Sequence, residues 1–164
     1  MERFIALKIQ VTLQNSIGNT RSDCSYTDGL TFLHELADNQ TSTPMVNIAV
    51  GDAITKLEYL KSGNLEKVRY WLTNRNNELL EGALRAIAMN KIVPESHDIS
   101  ALIDYCFSSK DEGLVFWLAA ACPGWPLNLT KPFLEFCLAN SATDDIKKAA
   151  EAALLSKYLK WRPL

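Results

Sequence analysis

Between Leu65 and Ala153 one pattern, apolar at i, i+3, i+4 and i+7, recurs six times at nearly fixed spacing. The copies are Leu65/Val68/Arg69/Leu72, Leu80/Ala83/Leu84/Ile87, Ile99/Leu102/Ile103/Cys106, Leu114/Trp117/Leu118/Ala121, Thr130/Phe133/Leu134/Cys137 and Ile146/Ala149/Ala150/Ala153. Of these 24 positions 22 are apolar, the exceptions being Arg69 and Thr130. Each pattern is one buried stripe of an α-helix. The two copies within a pair stand 15, 15 and 16 residues apart, which leaves room for a short helix, a tight turn and a second helix. Successive pairs repeat at 34 and then 31 residues, the interval of stacked helix hairpins. The expected fold class is therefore mainly α, antiparallel hairpins stacked side by side as an α-solenoid in one domain spanning residues 1–164.

A weaker pair of copies lies upstream, Leu30/Leu33/His34/Ala37 and Val50/Ala53/Ile54/Leu57, and completes four hairpins over residues 29–61, 64–90, 98–122 and 129–159. Capping chemistry marks their ends. Thr43-Pro44 places a hydroxyl at an N-cap and proline at the first helical position, where a missing N–H costs nothing. Gly63 closes one helix and Asn64 opens the next, while Asp98 and Asp111 stand where a carboxylate would accept free N–H groups. Asn90 and Pro94 end the helix holding Ala83, Pro123-Gly124-Trp125-Pro126 breaks the chain, and Thr143-Asp144-Asp145 begins the last helix. The stretch Leu114 to Cys122 is apolar on every side and is expected at the centre of the array.

Residues 4–13 obey a different rule. Ile5, Leu7, Ile9, Val11 and Leu13 alternate with Ala6, Lys8, Gln10 and Thr12, a strand by pattern and a helix by context. Residues 14–28 are polar and read as a loop, with Gly18 and Gly29 as breakers. The N-terminus has no continuous apolar stretch of the kind a secretion signal needs, and the longest apolar run covers nine residues, far short of a membrane span. Cys106, Cys122 and Cys137 belong to helical stripes and read as free, buried thiols, which fits a cytoplasmic protein.

No catalytic constellation emerges. His34 falls on a stripe and reads as a satisfied, partly buried histidine; His97, beside Asp98, reads as a capping or surface residue. Metal-ligand spacings and glycine-rich phosphate loops are absent, so no metal or cofactor is expected. Cys24, in the polar loop with only His34 near it in sequence, reads as an ordinary cysteine. The chain carries a net charge of −2, which gives no general attraction for nucleic acid. Its charges are nevertheless segregated. Glu95, Asp98, Asp104, Asp111 and Glu112 face only Lys110 between residues 92 and 112; Lys147, Lys148, Lys157, Lys160 and Arg162 face only Glu151 near the end. Both runs have an ordinary reading as solvated helix faces. The basic one, with Tyr158 and Trp161, would support a nucleic-acid binder only through a few phosphate contacts.

A surface remains as the functional element. Tyr70, Trp71, Tyr105, Phe107, Phe116, Trp125 and Phe136 miss the repeating stripe, and most are expected to pack between hairpins. Trp125, in its Pro-Gly-Trp-Pro turn, is the best candidate for an accessible anchor and equally fits a turn anchored by its own indole. The segments Leu65-Glu66-Lys67-Val68-Arg69-Tyr70-Trp71-Leu72 and Glu78-Leu79-Leu80-Glu81-Gly82-Ala83-Leu84-Arg85-Ala86-Ile87 resemble small HEAT-like immunity proteins of bacterial toxin systems, such as those of contact-dependent growth inhibition. The resemblance covers residues 57–164 and lies in spacing; residues 1–28 depart from it. It implies a cytoplasmic, non-enzymatic protein that binds a cognate toxin domain one-to-one and blocks it, often a nuclease. A nuclease site is basic, so Glu95, Asp98, Asp104, Asp111 and Glu112, with Trp125, are the candidate partner-binding residues. A HEAT-like adaptor or regulatory subunit of a larger complex would need the same kind of surface.

Overall fold

The structure, a computed structural model, describes residues 23–38 and 43–160. These form eight helices, α1 (Asp23–Asp38), α2 (Pro44–Ser62), α3 (Glu66–Thr73), α4 (Asn77–Asn90), α5 (Ser96–Ser108), α6 (Glu112–Ala121), α7 (Leu127–Asn140) and α8 (Asp144–Leu154), and no strand is present among the described residues. The fold class is thus mainly α, built of packed helix pairs. The alternating segment 4–13 lies outside the described residues. Of the 24 stripe positions 21 are buried; Arg69, Leu72 and Trp117 are the exceptions. Thr130, the other polar member, is buried, with its hydroxyl 3.4 Å from the Pro126 carbonyl oxygen, and so serves the stripe after all.

The chain divides into two compact units, Met1–Ala83 and Leu84–Leu164. In the first, α1 packs along α2. Helix α1 begins at Asp23, so the loop expected over 14–28 and broken at Gly29 is already helical from residue 23 onward. One glycine inside a helix costs only about 1 kcal/mol relative to alanine, and docking of Leu33, 5% exposed, against α2 outweighs it. His34 Nε2 lies 3.1 Å from Glu58 Oε1, a tie between the same two helices. Helix α2 opens at Thr43-Pro44 as the sequence indicates, though the Thr43 hydroxyl makes no cap bond. It closes at Gly63, whose φ of 68° lets its N–H reach the Tyr59 carbonyl at 2.8 Å.

The start of α4 meets α2 backbone to backbone. A Cβ built on Gly82 would penetrate the Ile48 carbonyl, and one on Gly51 would penetrate the Leu79 carbonyl. Only hydrogen fits at either position. Asn47 Nδ2 donates to Glu78 Oε2 across the same crossing.

In the second unit α5 packs on α6 and α7, while α8 packs on α6 and α7. Two hairpins, α5/α6 and α7/α8, therefore lie side by side in two layers, the arrangement that the repeat interval implies. Side chains fill the space between them: Ile99, Leu102, Leu114, Leu118, Phe133 and Leu134 are each at most 1% exposed. Helix α6 is not enclosed all round, because Val115, Phe116 and Trp117 are half-buried. Phe116 stacks edge-on to Trp117 at 5.0 Å, and the Arg85 guanidinium lies 5.8 Å from the centre of the Trp117 ring, so a cation and an aromatic edge shelter this side.

Three helices end by one device. Arg75, Lys91 and Ser156 take left-handed φ values of 55°, 53° and 53°. The following residues Asn76, Ile92 and Lys157 donate back to Trp71, Ile87 and Ala152 at 3.0, 3.0 and 2.8 Å, the long bond of a Schellman closure. Without glycine at these sites the left-handed residues carry no sign of their own, although Asn90 and Pro94 mark the end of α4 as expected.

Candidate partner-binding site

Helices α5 and α7 bring three phenylalanines together in the second unit. Phe133 is core, 1% exposed. Phe107 meets its ring edge-on at 5.4 Å and meets Phe136 at 5.0 Å, with interplanar angles of 82° and 61°. Phe107 and Phe136 are themselves 39% and 46% exposed. The two adjoin the slots of Cys106 and Cys137, which hold the same position in two copies of the stripe, so packing of α5 on α7 places the rings face to edge. Such contacts contribute about 0.5–1.5 kcal/mol each beyond burial. Each exposed ring thus has an aromatic neighbour packed against it.

A groove of about 210 Å³ opens beside them, lined by Phe136, Val115 and Ile146 and by Lys110, Glu112 and Asn140. Asp104 stands one helical turn before Phe107 on the same face of α5. Asp111 is committed to structure: its Oδ1 accepts from the N–H groups of Gly113 at 3.0 Å and Leu114 at 3.2 Å, capping α6 as its position in the sequence implies.

The acidic run does not form one surface. Glu95 and Asp98 lie at the start of α5, whereas Asp104, Asp111 and Glu112 lie at or beyond its far half; the 13 residues of this helix span about 20 Å. Asp98 is inside the helix, since Glu95 takes the N-cap position, and its side chain is 8% exposed. His97, 64% exposed, stands 3.3 Å from both the Glu95 and the Asp98 carboxylates. Helix α5 starts earlier than Asp98 because Ile99 must enter the core one turn in. The accessible-anchor expectation for Trp125 is overturned. It is 5% exposed, and its indole N–H donates to the Ile92 carbonyl at 2.9 Å, so it fastens the turn. What remains accessible is Glu95 at one end, and Asp104 and Glu112 beside the phenylalanines.

A second groove, about 380 Å³, lies in the first unit between Glu58, Lys61, Glu66, Lys67 and Tyr70. Its charges are balanced and several of its polar groups are engaged: Glu58 with His34, Asn64 Oδ1 with the Glu66 N–H at 3.3 Å, Lys67 over the Tyr70 ring at 5.6 Å. It offers no rigid apolar anchor. Cys106, Cys122 and Cys137 are free and buried. Burial pushes the Cys106 thiol up to about 12, helped by the Asp111 carboxylate and Cys137, and pushes Cys137 up to about 11; Cys122 is raised as well. Protonated thiols of this kind are poor nucleophiles at neutral pH. The side chain of Cys24 lies outside the described residues.

Among the described residues no group of three His, Cys, Asp or Glu side chains is placed to hold a metal ion, and no helix is long and apolar enough to cross a membrane. No family model, curated protein or solved structure matches this chain.

Proposed function

We propose that this chain is a binding protein whose working surface is the Phe107–Phe136 face, and that it acts by occlusion, without turnover. The observation that carries this reading is the pair of accessible rings, Phe107 packed on the buried Phe133 and Phe136 packed on Phe107. Aromatic anchors held in their bound geometry add little ordering entropy on association, which is why such residues dominate interface energies. The groove beside them accepts a protruding side chain, and the exposed parts of α5, α6 and α7 supply a rim. A standard interface needs about 800 Å² on each partner, which helix faces of this size provide.

The resemblance of the Leu65–Ile87 region to HEAT-like immunity proteins points to the partner: a toxin domain, bound one-to-one in the cytoplasm and silenced by coverage of its active surface. The test is co-expression of the chain with the toxin domain encoded beside it, followed by titration of the purified pair. Growth should be rescued, and the double variant Phe107→Ala/Phe136→Ala should lose affinity by about a hundredfold or more while melting as the parent does. A complex indifferent to the double variant would overturn the docking face. A complex in which the partner keeps its activity would make the chain an adaptor.

A further inference from the structure

We infer that the groove beside Phe136 seats an arginine side chain of the partner, its guanidinium stacked on the Phe136 ring and paired with Glu112. This rests on the docking face proposed above and specifies what enters it. Size is the first argument. Small-molecule pockets run to about 300–1,000 Å³, whereas this groove holds about 210 Å³, room for one long side chain.

Electrostatics is the second. Helices α5 and α7 both end here, at Ser108 and Asn140, and neither has a basic residue in its last turn. The positive ends of α6 and α8 open at the same groove, so the helix dipoles there largely cancel and its attraction for a cation comes from carboxylate side chains. Asp104 and Glu112 are exposed and have no ion-pair partner among the described residues. Glu135, on the exposed side of α7, is already paired with Lys131 at 3.6 Å and adds little. Lys110 lines the groove and opposes an incoming cation, but its ammonium sits on a flexible stem and can swing into water.

Shape is the third argument, and it favours arginine over lysine. The planar guanidinium can lie against an aromatic face and still present paired N–H groups to a carboxylate; an ammonium does one or the other.

The experiment uses the full chain, ¹⁵N-labelled, at low ionic strength, titrated with N-acetyl-arginine amide and, in parallel, with its lysine and citrulline counterparts. The arginine compound should shift the amide signals of Glu112, Val115, Phe136 and Asn140 at millimolar concentration, lysine should bind about three- to fivefold more weakly, and neutral citrulline should leave them in place. Glu112→Gln and Phe136→Ala should each remove most of the response, and Lys110→Ala should strengthen it. Glu112→Gln replaces an exposed side chain, so its fold is not at risk. Equal shifts from arginine and citrulline, shifts centred on other residues, or none at all would overturn the inference. A partner complex that depends on Phe107 and Phe136 yet ignores Glu112→Gln would leave the docking face standing and remove the arginine.

Discussion

The two units close the space between their helices by opposite means. In the first, α2 and α4 approach until backbone touches backbone, and Gly51 and Gly82 are the two positions that allow it. In the second, buried Leu, Ile, Phe and Cys side chains space α5, α6 and α7, and α8 seats Ile146 and a stripe of alanines on α6 and α7. One repeating apolar pattern thus supports two kinds of packing. A unit closed by glycines fails when matter is added, and a unit closed by side chains fails when matter is removed or charged.

The largest effect should come from charging the second unit. Leu118 is fully buried in α6. Leu118→Asp would bury a carboxylate without a partner, at a cost comparable with the whole stability of a domain, about 5–15 kcal/mol. Loss of the helical circular dichroism signal at 25 °C is expected; a folded variant would mean that α6 is far more accessible than its neighbours allow. Next in size is the glycine crossing. Gly82→Ala and Gly51→Ala should each cost about 3 kcal/mol, the upper end of overpacking, read from urea denaturation. Because both guard one crossing, the double variant should cost less than the sum. Strict additivity would show that the two positions do not share a contact.

That crossing also shows where the sequence stops being readable. Gly51 and Gly82 stand out only as isolated glycines, since a close approach depends on two helices far apart in the chain, and no local pattern reports it. The stripes of α4 to α8 were legible because each obeys a period set by its own helix, and even Thr130 stayed in register. Turn chemistry was legible where a side chain does the work, at Asp111, whereas the left-handed residues Arg75, Lys91 and Ser156, held by backbone hydrogen bonds alone, gave no sign of their own. Of the candidate site, Asp104 and Glu112 were named from charge. Phe107 and Phe136 were visible only as off-stripe aromatics, because their meeting needs α5 packed on α7. Trp125 shows the converse: an aromatic in a Pro/Gly turn cannot declare from sequence whether its indole turns out or in.

The third test separates the units by pH. All three described free thiols lie in the second unit, and burial raises them from an ordinary value of 9.0, Cys106 to about 12 and Cys137 to about 11. A folded-state value above the unfolded one means that the folded chain keeps its proton longer. The stability linked to it is complete below pH 9 and falls as pH rises toward 11 and 12. The slope is about 1.4 kcal/mol per pH unit for each thiol. The urea midpoint should therefore drop between pH 8 and pH 10.5, and drop less in Cys106→Ala/Cys137→Ala. An equal drop in the two proteins would place the alkaline sensitivity elsewhere.

The smallest expected effect compares helix starts. Helix α6 in the second unit is capped by a carboxylate that accepts two N–H groups at 3.0 and 3.2 Å and faces the positive end of the helix dipole. Helix α3 in the first unit has Leu65 at its N-cap and only the 3.3 Å contact from Asn64 Oδ1 to the Glu66 N–H beside it. Asp111→Ala should then cost about 1 kcal/mol, because two donors lose an acceptor and the dipole loses its counter-charge. Asn64→Ala should cost a few tenths, roughly 0.3 kcal/mol, since one long, exposed bond contributes little against water. Paired urea melts resolve a difference of this size when both variants share a baseline slope. If the two substitutions cost the same, the carboxylate adds nothing beyond local geometry, and the rank order of helix starts in the two units is set by packing of Leu65 and Leu114 alone.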